Sequence, residues 1–192
     1  MTKLSIEPDI REARRALKEL GPGVDKAAAR ALNKTAVAVR KKVIPEIRKE
    51  RAIKAGLIRQ DLRIFRANSK RLVSEIRARG FSIPMRHFGA NMTKRGVTVR
   101  IKQGTKRTLL KHGNRAAFIN AGSKLGPNVF VRESSGRLPI KKWSPVPGIP
   151  HVFVKRLIIQ GMKTTARQVW PRRFREEIRF EVNKALSRAR RG

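Results

Sequence analysis

Cysteine is absent from the sequence, which excludes disulfides and thiolate metal sites and leaves the chain compatible with a reducing compartment. Tyrosine is absent as well, and aromatic residues amount to 5% of the chain, little material for stacking nucleobases. No stretch approaches the ~18 consecutive apolar residues of a membrane span. Met1 to Ile10 carries Glu7, Pro8 and Asp9 where a signal peptide would place an apolar run, so the chain is expected to be made soluble and to stay inside the cell that makes it. The deficit that matters most is of negative charge: 13 Asp and Glu stand against 48 Lys and Arg, for a formal net charge of +35 and a pI near 12.0. A chain so one-sided needs an anionic partner, because its own like charges repel one another.

Residues that usually carry chemistry are sparse. His87, His112 and His151 are the only histidines, far apart and without carboxylates at ligand or general-base spacing, so no metal site, cofactor or catalytic centre is expected. Gly21-Pro22-Gly23 lacks the Lys-Ser/Thr of a phosphate-binding loop and reads as helix punctuation. Asp25 and Asp61 read as helix caps, the common role of a lone Asp at such positions.

What is present suffices to fold: 40% hydrophobic and 32% charged residues over 192 positions is a globular composition at the length of one domain. Ile10, Ala13, Ala16, Leu17 and Leu20 recur at three and four, as an amphipathic helix requires. After the Gly-Pro-Gly break a second helix is predicted from Val24. Its buried stripe is Val24, Ala28, Ala31, Leu32, Thr35, Val39 and Val43, with Pro45 as a kink or restart and a less distinct helical run from Glu46 to Arg59. Past Asp61 the period changes to two: Leu62 and Ile64, then Leu72, Ser74, Ile76 and Ala78, predict a hairpin around Asn68 and Ser69. Val97, Val99 and Ile101, opposite Thr98, Arg100 and Lys102, make the clearest strand, and Ala116 to Asn120 and Asn128 to Arg132 are two more. Pro and Gly from Leu138 to Pro150 predict an irregular loop carrying Trp143. Helical spacing returns with Val154, Ile158, Met162 and Val169, then with Phe174, Ile178, Val182, Ala185 and Ala189 after Pro171, which is placed in the first turn of the last helix. The predicted architecture is α+β in a single domain over residues 1–192. It has two N-terminal helices within 9–59, a small mostly antiparallel β-sheet within 61–133, the Pro/Gly loop 138–150 and long C-terminal helices within 151–190.

Acids are unevenly placed along this plan. Between Arg77 and Arg175 the only one is Glu133, whereas Glu176, Glu177 and Glu181 crowd the last helix, where i, i+4 pairs with Arg or Lys are worth ~0.2–0.5 kcal/mol each. The span of predicted strands and loops has no such relief, and its cations are the candidate phosphate contacts: Arg86, Lys94, Arg95, Arg100 and Lys102, then Lys106, Arg107, Lys111, Arg115 and Lys124. Lys141 and Lys142 extend the same region. An isolated charge run is commonly a solvated face, but at this density the cations repel over a Debye length of ~8 Å, and a polyanion relieves that repulsion with counterion release. Such contacts position a nucleic acid without reading it, and no helix-turn-helix, zinc finger or basic zipper is visible for base readout. Phe65, Phe81, Phe88, Phe118 and Phe130 fall where core residues are expected. Trp143 in its loop, with Trp170, Phe174 and Ile178 on the last helices, are the candidate subunit contacts, since tryptophan is enriched at interfaces.

Three stretches go further. Ala27-Ala28-Ala29-Arg30-Ala31-Leu32-Asn33-Lys34-Thr35-Ala36 is an Ala-rich helix with a central Asn, followed by a basic run through Ile53-Lys54 and Leu57-Ile58. Arg137-Leu138-Pro139-Ile140 precedes a Pro/Gly loop, and Trp170-Pro171-Arg172-Arg173-Phe174-Arg175-Glu176-Glu177 opens a basic C-terminal helix. In this order, with the strands between them, the chain resembles the prophage minor tail protein Z family, the tail completion proteins of tailed phages, over most of its length. The resemblance implies a structural virion protein rather than an enzyme, assembled in the host cytoplasm and placed in the neck at the head-proximal end of the tail. It also implies a homo-oligomeric, sixfold ring that supports head-tail joining among tail terminator, tail tube and head-completion or connector proteins, and the acid-poor basic span adds the expectation that this ring holds the double-stranded DNA genome through phosphate contacts. A free nucleic-acid-binding protein of ribosomal or nucleoid type suits the size and pI equally well, but leaves the long apolar helical stripes unexplained. A membrane-active cationic helix over residues 151 to 190 is disfavoured by its interrupted apolar face.

Overall fold

The alanine-rich stripe forms one continuous helix, α1 (Pro22–Glu50), and Val24, Ala28, Ala31, Leu32, Thr35, Val39 and Val43 are all buried, as their spacing predicts. The computed structural model describes residues 2–6, 22–119, 128–144 and 146–190, so the helix predicted from Asp9 to Leu20 lies outside the described residues. Pro45 neither ends nor restarts α1, which runs on to Glu50. Val43, Ile44 and Ile47 are buried on both sides of the proline, and burying side chains at about 1.5–3 kcal/mol each offsets the ~3 kcal/mol that proline costs a helix interior. The indistinct run after it resolves into a short helix, α2 (Ala55–Asp61), which places Asp61 at a helix C-terminus rather than as an N-cap.

The remaining helices among the described residues are α3 (Ile149–Phe153) and α4 (Arg156–Ala189). Helix α4 is unbroken through Pro171, which therefore lies in its interior and not at its first turn. Ile158, Met162 and Ala166 are buried before the proline, and after it Glu177 and Glu181 hold the helix through ion pairs to Arg30 and Lys34.

The predicted hairpin is present as β2 (Leu62–Phe65) and β3 (Ser74–Ala78), antiparallel with Ile64 opposite Ile76. Strand β1 (Thr2–Ile6) was not predicted; it pairs with the other edge of β3, Leu4 opposite Ile76, to give the order β1-β3-β2. The other strands are β4 (Asn91–Thr93), β5 (Gly96–Val99), β6 (Thr108–Leu109), β7 (Lys111–His112), β8 (Arg115–Ala116), β9 (Phe118–Ile119), β10 (Val129–Arg132) and β11 (Ile140–Lys142). They form sheets β4-β5-β6, β7-β8 and β11-β10-β9, so the fold is α+β with several small antiparallel sheets where a single one was expected. The predicted loop 138–150 contains β11 and the start of α3.

The chain divides into two compact units: Met1–Val43 with Leu62–Ala78 and Lys155–Gly192, and Ile44–Asp61 with Arg79–Val154. In the first, Ala29, Leu32 and Ala67 form a core against which Ile6, Leu72 and Trp170 pack. Trp170 stacks on Phe174 with ring centroids 5.1 Å apart, a geometry worth about 0.5–1.5 kcal/mol beyond burial. Asn33, the central Asn of the alanine-rich helix, joins this core to the hairpin: its Nδ2 donates to the Ala67 carbonyl at 3.0 Å and its Oδ1 accepts from the Ala67 amide at 2.8 Å. The side-chain amide thereby satisfies both backbone groups of Ala67. In the second unit Phe88, Val97, Val99, Val129, Val131 and Phe153 are among the buried residues.

Phe88 and Phe130 are core residues as expected, and Phe65 and Phe118 are half-buried under Arg77 and Arg132, whose guanidinium carbons stand 4.1 and 5.4 Å from the ring centres. Phe81 departs from the expectation, its side chain being fully exposed. Its backbone is what the fold uses: the Gly148 amide donates to the Phe81 carbonyl at 3.0 Å, and a Cβ on Gly148 would meet the Gly80 carbonyl oxygen at 2.7 Å.

Candidate functional site

The described candidate phosphate contacts all fall in the second unit. Strands β4 and β5 form a hairpin, Thr93 opposite Gly96, whose exposed turn is Lys94-Arg95. Gly96 has φ 120°, and a Cβ there would stand 2.8 Å from the Ala116 Cβ, so only glycine closes this turn. Along β5 the alternation is as predicted: Val97 and Val99 are buried, Thr98 is half-buried, and Arg100 just beyond the strand is exposed. Lys94, Arg95, Arg100, Lys102, Lys106 and Lys111 are all exposed, and none pairs with another described residue.

Two of the predicted contacts also make hydrogen bonds within the unit. The Arg107 guanidinium donates to the Thr98 hydroxyl at 3.1 Å, to the Thr98 carbonyl at 2.9 Å and to the Gly89 carbonyl, which ties β5 to the segment following the 3-10 helix Met85–Phe88. Arg115 donates to the Glu133 carbonyl at 2.7 Å. Lys124 lies outside the described residues.

Sequence reasoning left His87 without a role and did not single out Lys54 as a contact; the fold brings the two together. An open cleft of about 480 Å³ is lined among the described residues by Lys54, Arg86, His87, Gly89, Ala90, Ile119 and Val129. Lys54 comes from the connection between α1 and α2, Arg86 and His87 from the 3-10 helix, and the apolar wall from β9 and β10. Arg86 Nε donates to His87 Nε2 at 3.3 Å, which requires that imidazole nitrogen to be unprotonated. Burial, and then the charges of Arg86, Lys142 and Lys54, hold the His87 pKa below the usual imidazole value. No sequence signal marks this cleft, because its cations come from segments far apart in the chain.

Charge is arranged differently in the first unit. Glu177 and Glu181 of α4 are buried, and Arg30 of α1 reaches both, at 2.5 and 2.6 Å, while Lys34 reaches Glu177 at 2.5 Å. Burial alone would raise the Glu177 pKa, but hydrogen bonds from Lys34 and Arg30 outweigh it and hold the carboxyl below its usual range. Of the acids expected to pair within the last helix, Glu176 alone does so among the described residues, with Arg172 at 3.0 Å and Arg173 at 2.8 Å. Glu75 on β3 is buried and receives Arg77 at 2.6 Å and Arg71 at 2.7 Å.

The proposed subunit contacts are divided between the units. Trp170, Phe174 and Ile178 are half-buried on α4, the first two through their packing inside the first unit. Trp143 is half-buried in the second unit, where its amide donates to the Val129 carbonyl at 2.9 Å. The exposed large apolar residues of α4 are Leu157, Phe180 and Leu186.

Among the described residues no group of three or more His, Cys, Asp or Glu is placed to hold a metal ion, and no helix is long and apolar enough to cross a membrane. Among the described residues, then, Glu75, Glu177 and Glu181 are buried in ion pairs while Lys94, Arg95, Arg100, Lys102 and Lys106 are exposed, an α+β chain that presents positive charge. The sequence model of the family described as prophage minor tail protein Z (GPZ) matches residues 9–189, and the chain belongs to this family of phage tail proteins. It is thus a structural component of a phage tail and of the virion. No curated protein and no solved structure matches the chain.

Proposed function

We propose that the protein is a tail-completion or neck subunit that forms a ring at the head-proximal end of the tail, supports head-tail joining, and holds the DNA end through phosphate contacts without reading its sequence. One observation carries this reading: in a phage tail protein, exposed Lys94, Arg95, Arg100, Lys102 and Lys106 share a span whose only acid is Glu133. Cations left exposed at such density cost stability in isolation, and a strand of phosphates relieves them through counterion release. The half-buried Trp143 supports a contact with a neighbouring subunit or tail protein. Family membership also removes the reason to prefer a ribosomal or nucleoid protein.

Charge reversal of Arg100, Lys102 and Lys106 to Glu in the phage tests the DNA-facing role. The expected outcome is assembled particles that lose packaged DNA. Unchanged DNA retention and infectivity would overturn the reading, and particles that keep their DNA but fail to join head and tail would assign the cations to acidic protein neighbours. Cryo-electron microscopy of the intact particle counts the copies in the ring.

A further inference from the structure

We propose that the cleft between Lys54, Arg86 and His87 is an anion subsite that seats one phosphodiester group of a DNA strand. The proposal rests on the DNA-facing reading of the second unit and adds to it a defined pocket, since none of the contacts read from the sequence required one. The cleft's ~480 Å³ lies within the ~300–1,000 Å³ of small-ligand sites. Among the described residues its charged lining is basic: Lys54, Arg86 and the imidazole of His87, with Lys142 adding its field from β11. The acid nearest in sequence to Lys142 is Glu133, which is paired with Lys141 at 3.7 Å. Arg86 is oriented by its bond to His87 Nε2 and pairs with no other described residue, which leaves its terminal nitrogens to make the forked contact that guanidinium offers a phosphate. A run of phosphates fits better than an isolated protein carboxylate, because exposed Arg100, Lys102 and Lys106 belong to the same unit and suit an extended polyanion.

A consequence separates this pocket from the rest of the basic surface. With the cleft empty, burial and the charges of Arg86, Lys142 and Lys54 favour the neutral form of His87. A bound phosphate offsets those cations and takes over Arg86 Nε from the ring, so its arrival raises the His87 pKa and draws a proton onto the freed Nε2. Binding coupled to proton uptake strengthens as pH falls through the imidazole range, whereas contacts made by Lys and Arg alone stay constant there.

The test uses the full-length protein with a short DNA duplex, read by fluorescence anisotropy across salt and pH, and with the His87 ring followed by NMR. The expected result is duplex binding that tightens from pH 8 to pH 6, an upward shift of the His87 titration midpoint in the complex, and loss of this pH dependence in His87→Asn. The double variant Lys54→Gln, Arg86→Gln should lower the log-log salt slope by about 0.9, one phosphate contact, with an unchanged melting temperature verifying the fold. Tight duplex binding with no movement of His87 and no loss of slope overturns the subsite and leaves the DNA reading standing. A response of His87 to inorganic phosphate, with no duplex binding at any salt, overturns DNA as the source and with it the broader reading. Inertness to both sinks the subsite outright.

Discussion

In the first unit, Glu177 and Glu181 are buried beside Arg30 and Lys34, and Glu75 is buried between Arg71 and Arg77, so carboxylates and cations there consume one another in holding α4 to α1 and bracing the hairpin. In the second unit, Lys94, Arg95, Arg100, Lys102 and Lys106 are exposed with no described partner. Both units are basic, but the first buries three of its acids in ion pairs, whereas these five cations of the acid-poor second unit have no such partner among the described residues. Net charge alone does not distinguish these uses; the placement of a few carboxylates does.

That contrast can be broken or sharpened by substitution. Leu32→Ala, in the core of the first unit, should cost most, about 2–5 kcal/mol by urea denaturation, because a fully buried leucine leaves a cavity. Asn33→Ala strands the amide and carbonyl of Ala67 and should cost about 1–3 kcal/mol in the same measurement. Glu177→Gln should cost about 1–2 kcal/mol, less than the ~3–5 of a fully buried pair, since Arg30 and Lys34 remain partly solvated. This last change carries a pH signature. The Glu177 pKa is depressed in the folded state, so its stabilisation is present above the ordinary carboxylate range and is lost as pH falls through that range toward the depressed value. Denaturation of Glu177→Gln should therefore depend less on pH below neutrality than that of the parent. The smallest effect on stability, within about 0.5 kcal/mol, is expected from joint reversal of Arg100, Lys102 and Lys106, although this variant should lose most in salt-dependent duplex binding. A large loss of stability there, or none from Glu177→Gln, would reverse the comparison.

Much of the helical fold was legible because its signal is local. The stripe from Val24 to Val43 recurs at the helical period, and every member of it is buried. The strand at Val97 and Val99 and the hairpin at Ile64 and Ile76 follow from alternation in the same way. The two prolines misled because a local penalty of ~3 kcal/mol was set against burial that only the packed fold reveals. Strand β1 was missed because a short alternation in Leu4 and Ile6 is no stronger than chance until β3 is there to pair with it. Of the candidate site, exposure of the basic turn Lys94-Arg95 could be read from the sequence, whereas the commitment of Arg107 to the carbonyls of Thr98 and Gly89 could not.

The sequence by itself determined the excess of positive charge, the acid-poor span between Arg77 and Arg175 and the periodicities of α1 and β5, because composition and local spacing need no third dimension. Tertiary structure alone decided which acids are buried, that Asn33 clasps Ala67, that Phe81 faces solvent, and that Lys54 meets Arg86 and His87 around one cleft. Those outcomes depend on contacts between residues distant in the chain, where electrostatics and desolvation follow distance in space rather than distance in sequence.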